Sequence, residues 1–225
     1  MSRRTLNQTE GSKNPATKFL EWKSNEKCFA YYDKAKNENI PLPIPFKFQF
    51  LEHFHTVKGW NDASESKIFS NEVKFISKEE LKVRSYKGGE IANGIYKEIR
   101  LKVLDAGGKY YRSVYAITED GNVVNLQLKG AVVSAYSDFM ADNENQVEGA
   151  WITINKVENK KKGATKYSVP IFEIGDKFSR AEMSLADEKY KDVVTHYEQY
   201  ANPKAEEPQT DFPDGESPDV DDLAF

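Results

Sequence analysis

Residues 40–60 read IPLPIPFKFQFLEHFHTVKGW, and this stretch decides the fold class. Pro41, Pro43 and Pro45 each fix φ and remove a ladder donor. Residues 40–45 are therefore neither a helix interior nor a central strand, and read as an extended lead-in. From Phe46 the pattern changes. Phe46, Phe48 and Phe50 alternate with Lys47 and Gln49, and the apolar run continues to Val57. Such alternation marks a half-buried strand, here about ten residues long.

Working outward, the chain before this strand is rich in aromatics that fit neither period. Phe19, Leu20, Trp22, Phe29, Tyr31 and Tyr32 suit a short extended segment and hairpin as well as a helix. After the strand, residues 61–94 form a long polar connection with one short strand expected near 68–76. Residues 95–104, IYKEIRLKVL, alternate again. Ile95, Ile99, Leu101 and Val103 fall on one face, Tyr96, Glu98, Arg100 and Lys102 on the other. With the Asp105-Ala106-Gly107-Gly108 turn and a strand over 109–117, they predict a β-hairpin. A second turn at 119–122 precedes a strand over 123–128. Val132, Val133, Tyr136, Phe139 and Met140 sit near helical spacing and predict a helix over 130–140. Residues 150–158 and 166–174 are read as two strands. A last helix over 183–200 has Ser184 as its candidate cap.

The expected fold is mainly β with flanking helices. Strands, a helix, then two strands is the order of an OB-like Greek-key β-barrel, which binds oligonucleotides through a strand face and the loops after its first and fourth strands; the strand over 123–128 departs from that order, as the end of a bent third strand or part of an insertion, and other small barrels fit the pattern too. Three regions are expected: a flexible arm over 1–14, the barrel with insertions and a C-terminal helix over 15–202, and a disordered acidic tail over 203–225.

Composition fits this reading. The chain has 225 residues, with 39% hydrophobic and 30% charged, as in a soluble globular protein able to bury a real core. The single cysteine, Cys28, excludes an internal disulfide framework and a multi-cysteine zinc site. No run of eighteen apolar residues is present, so no membrane helix is expected. The polar start MSRRTLNQTEGSKNP carries no apolar signal region. The expected compartment is a reducing cytoplasm, which the resemblance given below narrows to that of a bacterial host cell. Charge is uneven. Residues 203–225 hold one base, Lys204, against eight acids, a net −7, which leaves +3 of the chain's −4 on the body.

The candidate binding residues follow from the strand faces. Tyr96, Tyr111 and Tyr115 are candidate stacking rings, while Arg100, Lys102 and Arg112 are candidate phosphate contacts. Rings mixed with cations suit single-stranded nucleic acid, because bases stack and phosphates are neutralised. The bland alternative is a solvated face whose tyrosines cover apolar edges. Lys160, Lys161 and Lys162 at a hairpin tip form a candidate phosphate clamp, or else only a solvated tip. Trp60, at the exit of the first strand, either plugs the barrel or stacks a base. His53 and His55 share a strand face, without the partners a metal site needs. No phosphate-binding glycine loop, nucleophile elbow or calcium loop occurs. No carboxylate pair stands out for acid–base work. The chain reads as a binder without a catalytic site or cofactor.

The tail ends in Asp219-Val220-Asp221-Asp222-Leu223-Ala224-Phe225. Its composition predicts disorder. An acidic segment ending on a large ring reads as a docking peptide, with Phe225 filling a pocket and Asp219, Asp221 and Asp222 meeting cations.

The segments NPATKFLEW (14–22), FAYYDK (29–34), LPIPFKFQFLEHFHTVKGW (42–60), SVYAI (113–117), LKGAVVSAY (128–136) and KKGATKYSVPIFEI (161–174) resemble phage-type single-stranded DNA-binding proteins. The acidic tail with terminal Phe is similar to those of bacterial and phage single-strand binders generally. The resemblance implies a protein that coats single-stranded DNA in replication, recombination or repair. It also implies recruitment of replication and recombination proteins through the tail. The long first loop and the N-terminal segment depart from bacterial single-strand binders, so tetramer assembly is not carried over. Two other readings stay open: a recombination mediator or annealing protein, and an interaction scaffold that never touches DNA.

Overall fold

A computed structural model of the chain describes residues 14–201. The expected arm and tail therefore lie outside the described residues, except for Asn14. The described chain is mainly β, with three helices and one mixed sheet of eleven strands. The N-terminal strands are β1 (Lys18–Lys23), β2 (Cys28–Asp33) and β3 (Glu38–Leu42). The long β4 (Phe46–Asn61) leads into β5 (Ser66–Ser70), β6 (Leu81–Ser85) and β7 (Gly89–Gly94). Helix α1 (Tyr96–Asp105) precedes β8 (Gly108–Thr118) and β9 (Val123–Lys129). Helix α2 (Ala131–Asp142), the hairpin β10 (Ala150–Lys162) and β11 (Thr165–Lys177), and α3 (Arg180–Ala201) complete the order.

Along the sheet the strands run β3-β2-β1-β9-β8-β4-β5-β6-β7. β10 joins the first residues of β4, pairing Ile152 with Phe48. β1 runs parallel to β9, and the other pairs are antiparallel. The two arms of the sheet approach each other without a strand ladder. The Trp22 indole donates to the Ser168 carbonyl at 2.9 Å, and the Ser168 N–H donates to Ser24 Oγ at 2.6 Å.

β4 holds the fold together because a register shift between Phe50 and Glu52 divides it. Phe46 and Phe48 enter the main core with Leu20, Trp22, Leu126 and Ile152. Leu51 and Phe54 point the other way, under α3, where Phe54 stacks on Tyr197 at 4.4 Å between ring centroids. Val57 belongs to a third cluster with Ile68, Leu81, Val83 and Val103. One strand thus serves three cores, since a bulge lets it change the face it presents.

Several sequence expectations need correction. Residues 96–105 are helix α1, not a strand. Tyr96, Ile99 and Val103 recur at three and four residues, and all pack into the third cluster. Leu101, assigned to the buried strand face, is 72% exposed. Residues 61–94 carry three strands rather than one. The cap of α3 is Ser179, not Ser184: Glu182 N–H donates to Ser179 Oγ and Ser179 N–H donates to the Glu182 carboxylate, a reciprocal capping box. Residues 38–42 form a true strand, but an edge one, which is where a proline such as Pro41 is tolerated. The strands at 46, 109, 123, 150 and 166 and the helix near 130–140 lie where the patterns predict them.

Candidate nucleic-acid interface

Cross-strand partners share a face, so the ladder registers define the surface of the sheet opposite the main core. Trp60 pairs with Lys67, Lys58 with both Phe69 and Lys109, and Phe69 with Arg84. Next along the sheet, Tyr111 pairs with Thr56 and Lys129. Asn125 and Gln127 then lead to Phe19 and Glu21 on β1. α3 covers the end of this face around Phe54 and Tyr115 and leaves the end around Lys58 and Lys109 open. Phe19, Trp60 and Phe69 are exposed by 44%, 50% and 42%. Large rings left to water share one sheet face with Lys58, Lys67, Arg84, Lys109 and Lys129, which places exposed π faces beside cations.

The floor beneath these side chains is polar. Thr56, Ser113, Asn125 and Gln127 are buried, and the Asn125 amide donates to Ser113 Oγ at 2.6 Å. Long side chains roof this floor. The Lys58 ammonium lies 5.5 Å from the centroid of the Phe19 ring, and that of Lys129 lies 5.5 Å from the Tyr111 ring. Glu21 accepts ion pairs from Lys23 and Lys129, each at 3.6 Å. Burial lowers the pKa of Lys58, and the carboxylates of Glu72 and Glu21 oppose that shift.

At the far end of β1, the turn after Lys23 faces the β10–β11 hairpin. Ser24, Lys27, Lys160, Lys161, Lys166 and Tyr167 line a groove of about 580 Å³ between them. Lys160 is held by Glu158 at 2.9 Å.

Only some of the sequence-predicted residues meet on this surface. Trp60 does, and half of it is exposed. Tyr111 faces the same way but is 7% exposed, beneath Lys129. Lys160, Lys161 and Lys162 sit on the exposed hairpin tip, as expected. Tyr115 is buried, edge-on to Phe54, with its hydroxyl donating to Glu72 at 3.1 Å. It is a core residue, and its ring is not open for stacking, contrary to the expectation from sequence. Arg112 points to the opposite face, where its Nη1 donates to His53 Nε2 at 3.0 Å. Tyr96, Arg100 and Lys102 belong to α1, which packs on Val57 on that same opposite side. They do not join Tyr111. Asp219, Asp221, Asp222 and Phe225 lie outside the described residues.

Sequence reading missed Phe19, Lys58, Lys67, Phe69, Arg84, Lys109 and Lys129. The signal for Lys67 and Phe69 was their alternation in SKIFS; the pairing of β5 with β4 that gives it meaning is long-range. Among the described residues, no group of three or more His, Cys, Asp or Glu side chains is placed to hold a metal ion. No described helix is long and apolar enough to cross a membrane. Comparison of the chain with protein-family models, with curated proteins and with solved structures finds no match.

Proposed function

We propose that this chain is a non-catalytic single-stranded DNA-binding protein that lays the strand across the open sheet face. The observation that carries the reading is the placement of Phe19, Trp60 and Phe69, all exposed, among Lys58, Lys67, Arg84, Lys109 and Lys129. Unpaired bases offer π faces to such rings, each worth ~1–3 kcal/mol, while a duplex hides them in its own stack. The lysines supply the salt-dependent, sequence-independent part of the affinity.

Strand connectivity supports the OB-like reading. β4 pairs with both β8 and β10, β8 pairs with β9, and α2 falls between β9 and β10. That is the order of a five-stranded OB barrel with its helix between the third and fourth strands. β1 stands beside β9, and the contacts of Trp22 and Ser24 with Ser168 span the gap to β11. The insertion over 62–107 is then the loop after the first barrel strand, and the basic hairpin tip is the loop after the fourth. Within this reading the acidic tail recruits replication and recombination proteins through Phe225 and its neighbouring aspartates.

A charge-reversal comparison tests the face. Lys67→Glu, Arg84→Glu and Lys109→Glu together should abolish retardation of a labelled oligo(dT) in a gel. Lys177→Glu, Arg180→Glu and Lys191→Glu, the same change in net charge on other elements, should reduce it far less. Equal effects from both sets would mean that only net charge matters and that this face has no special role.

A further inference from the structure

The groove of about 580 Å³ between the turn after β1 and the β10–β11 hairpin has cations on both of its walls. Lys27 stands on the turn, and Lys160, Lys161 and Lys166 stand on the hairpin. The walls touch at the base, where Ser168 N–H donates to Ser24 Oγ at 2.6 Å and Ser168 Oγ donates to the Ser24 carbonyl at 2.5 Å. Residues two apart in a strand share a face, so Lys166 stands on the face of Ser168, toward the turn. Lys161 is opposite Lys166 in the ladder, and like charges held opposite each other destabilise a hairpin. Glu158 pairs with Lys160, but Lys27, Lys161 and Lys166 have no ion-pair partner among the described residues. Their repulsion is offset by nothing in the described fold, as in a site built for an anion.

The turn adds to this. Lys27 has a φ of 55°, a conformation that glycine adopts more readily than lysine, yet the residue there brings a cation to the groove. The groove also continues the open face. Phe19, Glu21 and Lys23 alternate along β1 on that face, and the ~13 Å from Phe19 to Lys23 ends at the turn. Glu21 is ion-paired by both Lys23 and Lys129, which leaves this stretch cationic. A lone phosphate would meet one wall of the groove, whereas a chain of phosphates meets both.

We infer that this groove grips the phosphodiester backbone of the bound strand where it leaves the open face along β1, with Lys27 on one side and Lys161 and Lys166 on the other. The inference rests on the single-strand reading and adds to it the β1–β2 hairpin, which supplies no strand of the five-stranded order given above, as half of a clamp. The groove adjoins the face at β1 and not at β6, so the strand crosses the face in one fixed polarity.

The test follows end-labelled oligo(dT) binding to the full chain by fluorescence anisotropy across a salt series. Lys27→Ala, Lys161→Ala and Lys166→Ala together should lower the log–log salt slope by about 2, at ~0.7 per phosphate contacted. Oligo(dT) with uncharged methylphosphonate linkages at one end separates the groove from general charge. Neutral linkages at the end that lies in the groove should make the triple variant bind as the unaltered protein does. Neutral linkages at the other end should leave its whole loss in place. Lys27→Gly suits the backbone at that position, so it should not lower the thermal unfolding midpoint, yet it should lower the salt slope by ~0.7. Equal losses on the two end-modified oligomers would overturn the inference, since they signify a diffuse field. Native binding by Lys27→Gly would also overturn it, as the turn would then be no wall of the site. Tighter oligo(dT) binding in the triple variant would overturn it in favour of the chain's own acidic residues 203–225 as the occupant. Unchanged binding in the triple variant would empty the groove while leaving the single-strand reading intact. Failure of the unaltered protein to bind oligo(dT) would remove that reading, and the groove's ligand with it.

Discussion

Arg112 shows how little a residue's type says before its face is known. It sits in a strand of tyrosines and reads as a phosphate contact, yet it turns toward His53, His55 and Tyr136. A guanidinium has no acceptor, so His53 Nε2 must accept its hydrogen bond and Nδ1 must carry the proton, which then donates to the Tyr136 hydroxyl at 3.3 Å. Burial and the Arg112 charge, with Lys74 adding to them, hold the His53 pKa down at about 4. Burial, Arg112 and His53 hold His55 at about 4 as well, against the opposing effect of Glu79. Both imidazoles stay neutral in the fold but titrate near 6.5 when unfolded. The unfolded chain therefore binds more protons below pH 6.5, and stability present above that pH is lost as pH falls toward 4. Each histidine accounts for up to about 3 kcal/mol of that loss. Thermal unfolding midpoints should fall steeply between pH 6.5 and 4, and His53→Gln should flatten the fall. Parallel curves for the two proteins would contradict the neutral pair. At this scale only the position of Trp60 at a strand's end was legible; the sequence left it between a barrel plug and an open ring, and half of it is exposed. Tyr115 was not legible, because a buried tyrosine and a stacking tyrosine look alike in sequence.

Among the elements, α1 is where pattern reading failed, and the reason is physical. IYKEIRLKVL satisfies both periods, since Ile99 and Val103 share a face at spacing two or four. Tertiary context decides: the cluster around Val57, Ile68 and Leu81 lacks a lid, and a helix supplies Tyr96, Ile99 and Val103 together. The helix stops at Gly107, whose φ of 92° few other residues adopt. A Cβ there would also strike the carbonyl oxygen of Trp60. Gly107→Ala should destabilise the protein by about 1–3 kcal/mol, read as a lower denaturant midpoint. An unchanged midpoint would refute the strained contact. β4 was found with its start correct, but its bulge, which sends Leu51 and Phe54 outward, has no sequence signature. The β10–β11 hairpin was legible, and carries its own prediction. Lys160→Ala, Lys161→Ala and Lys162→Ala together should reduce the log–log salt slope of single-strand binding by about 2, at ~0.7 per phosphate. An unaltered slope would make the tip a solvated loop only.

For the molecule as a whole, the β-rich class and most strands follow from alternation, but the proposed binding face does not. It draws Phe19 from β1, Lys58 and Trp60 from β4, Lys67 and Phe69 from β5, Arg84 from β6, Lys109 from β8 and Lys129 from β9. Only the pairing of strands distant in sequence brings these together, and a single sequence does not encode that pairing in any local pattern. What the sequence does carry is the surplus: more rings and lysines than one core needs. In the proposed function this surplus binds unpaired DNA, and intrinsic fluorescence reads that binding without a label. Trp22 is buried and donates to Ser168, and the Trp151 indole donates to Glu182, whereas Trp60 is half exposed on the face itself. Titration with oligo(dT) should quench the emission to saturation. Trp60→Phe should remove most of that quenching, and a duplex of equal length should bind far more weakly. Emission unaffected by oligo(dT), or equal affinity for the duplex, would rule out a face for unpaired DNA.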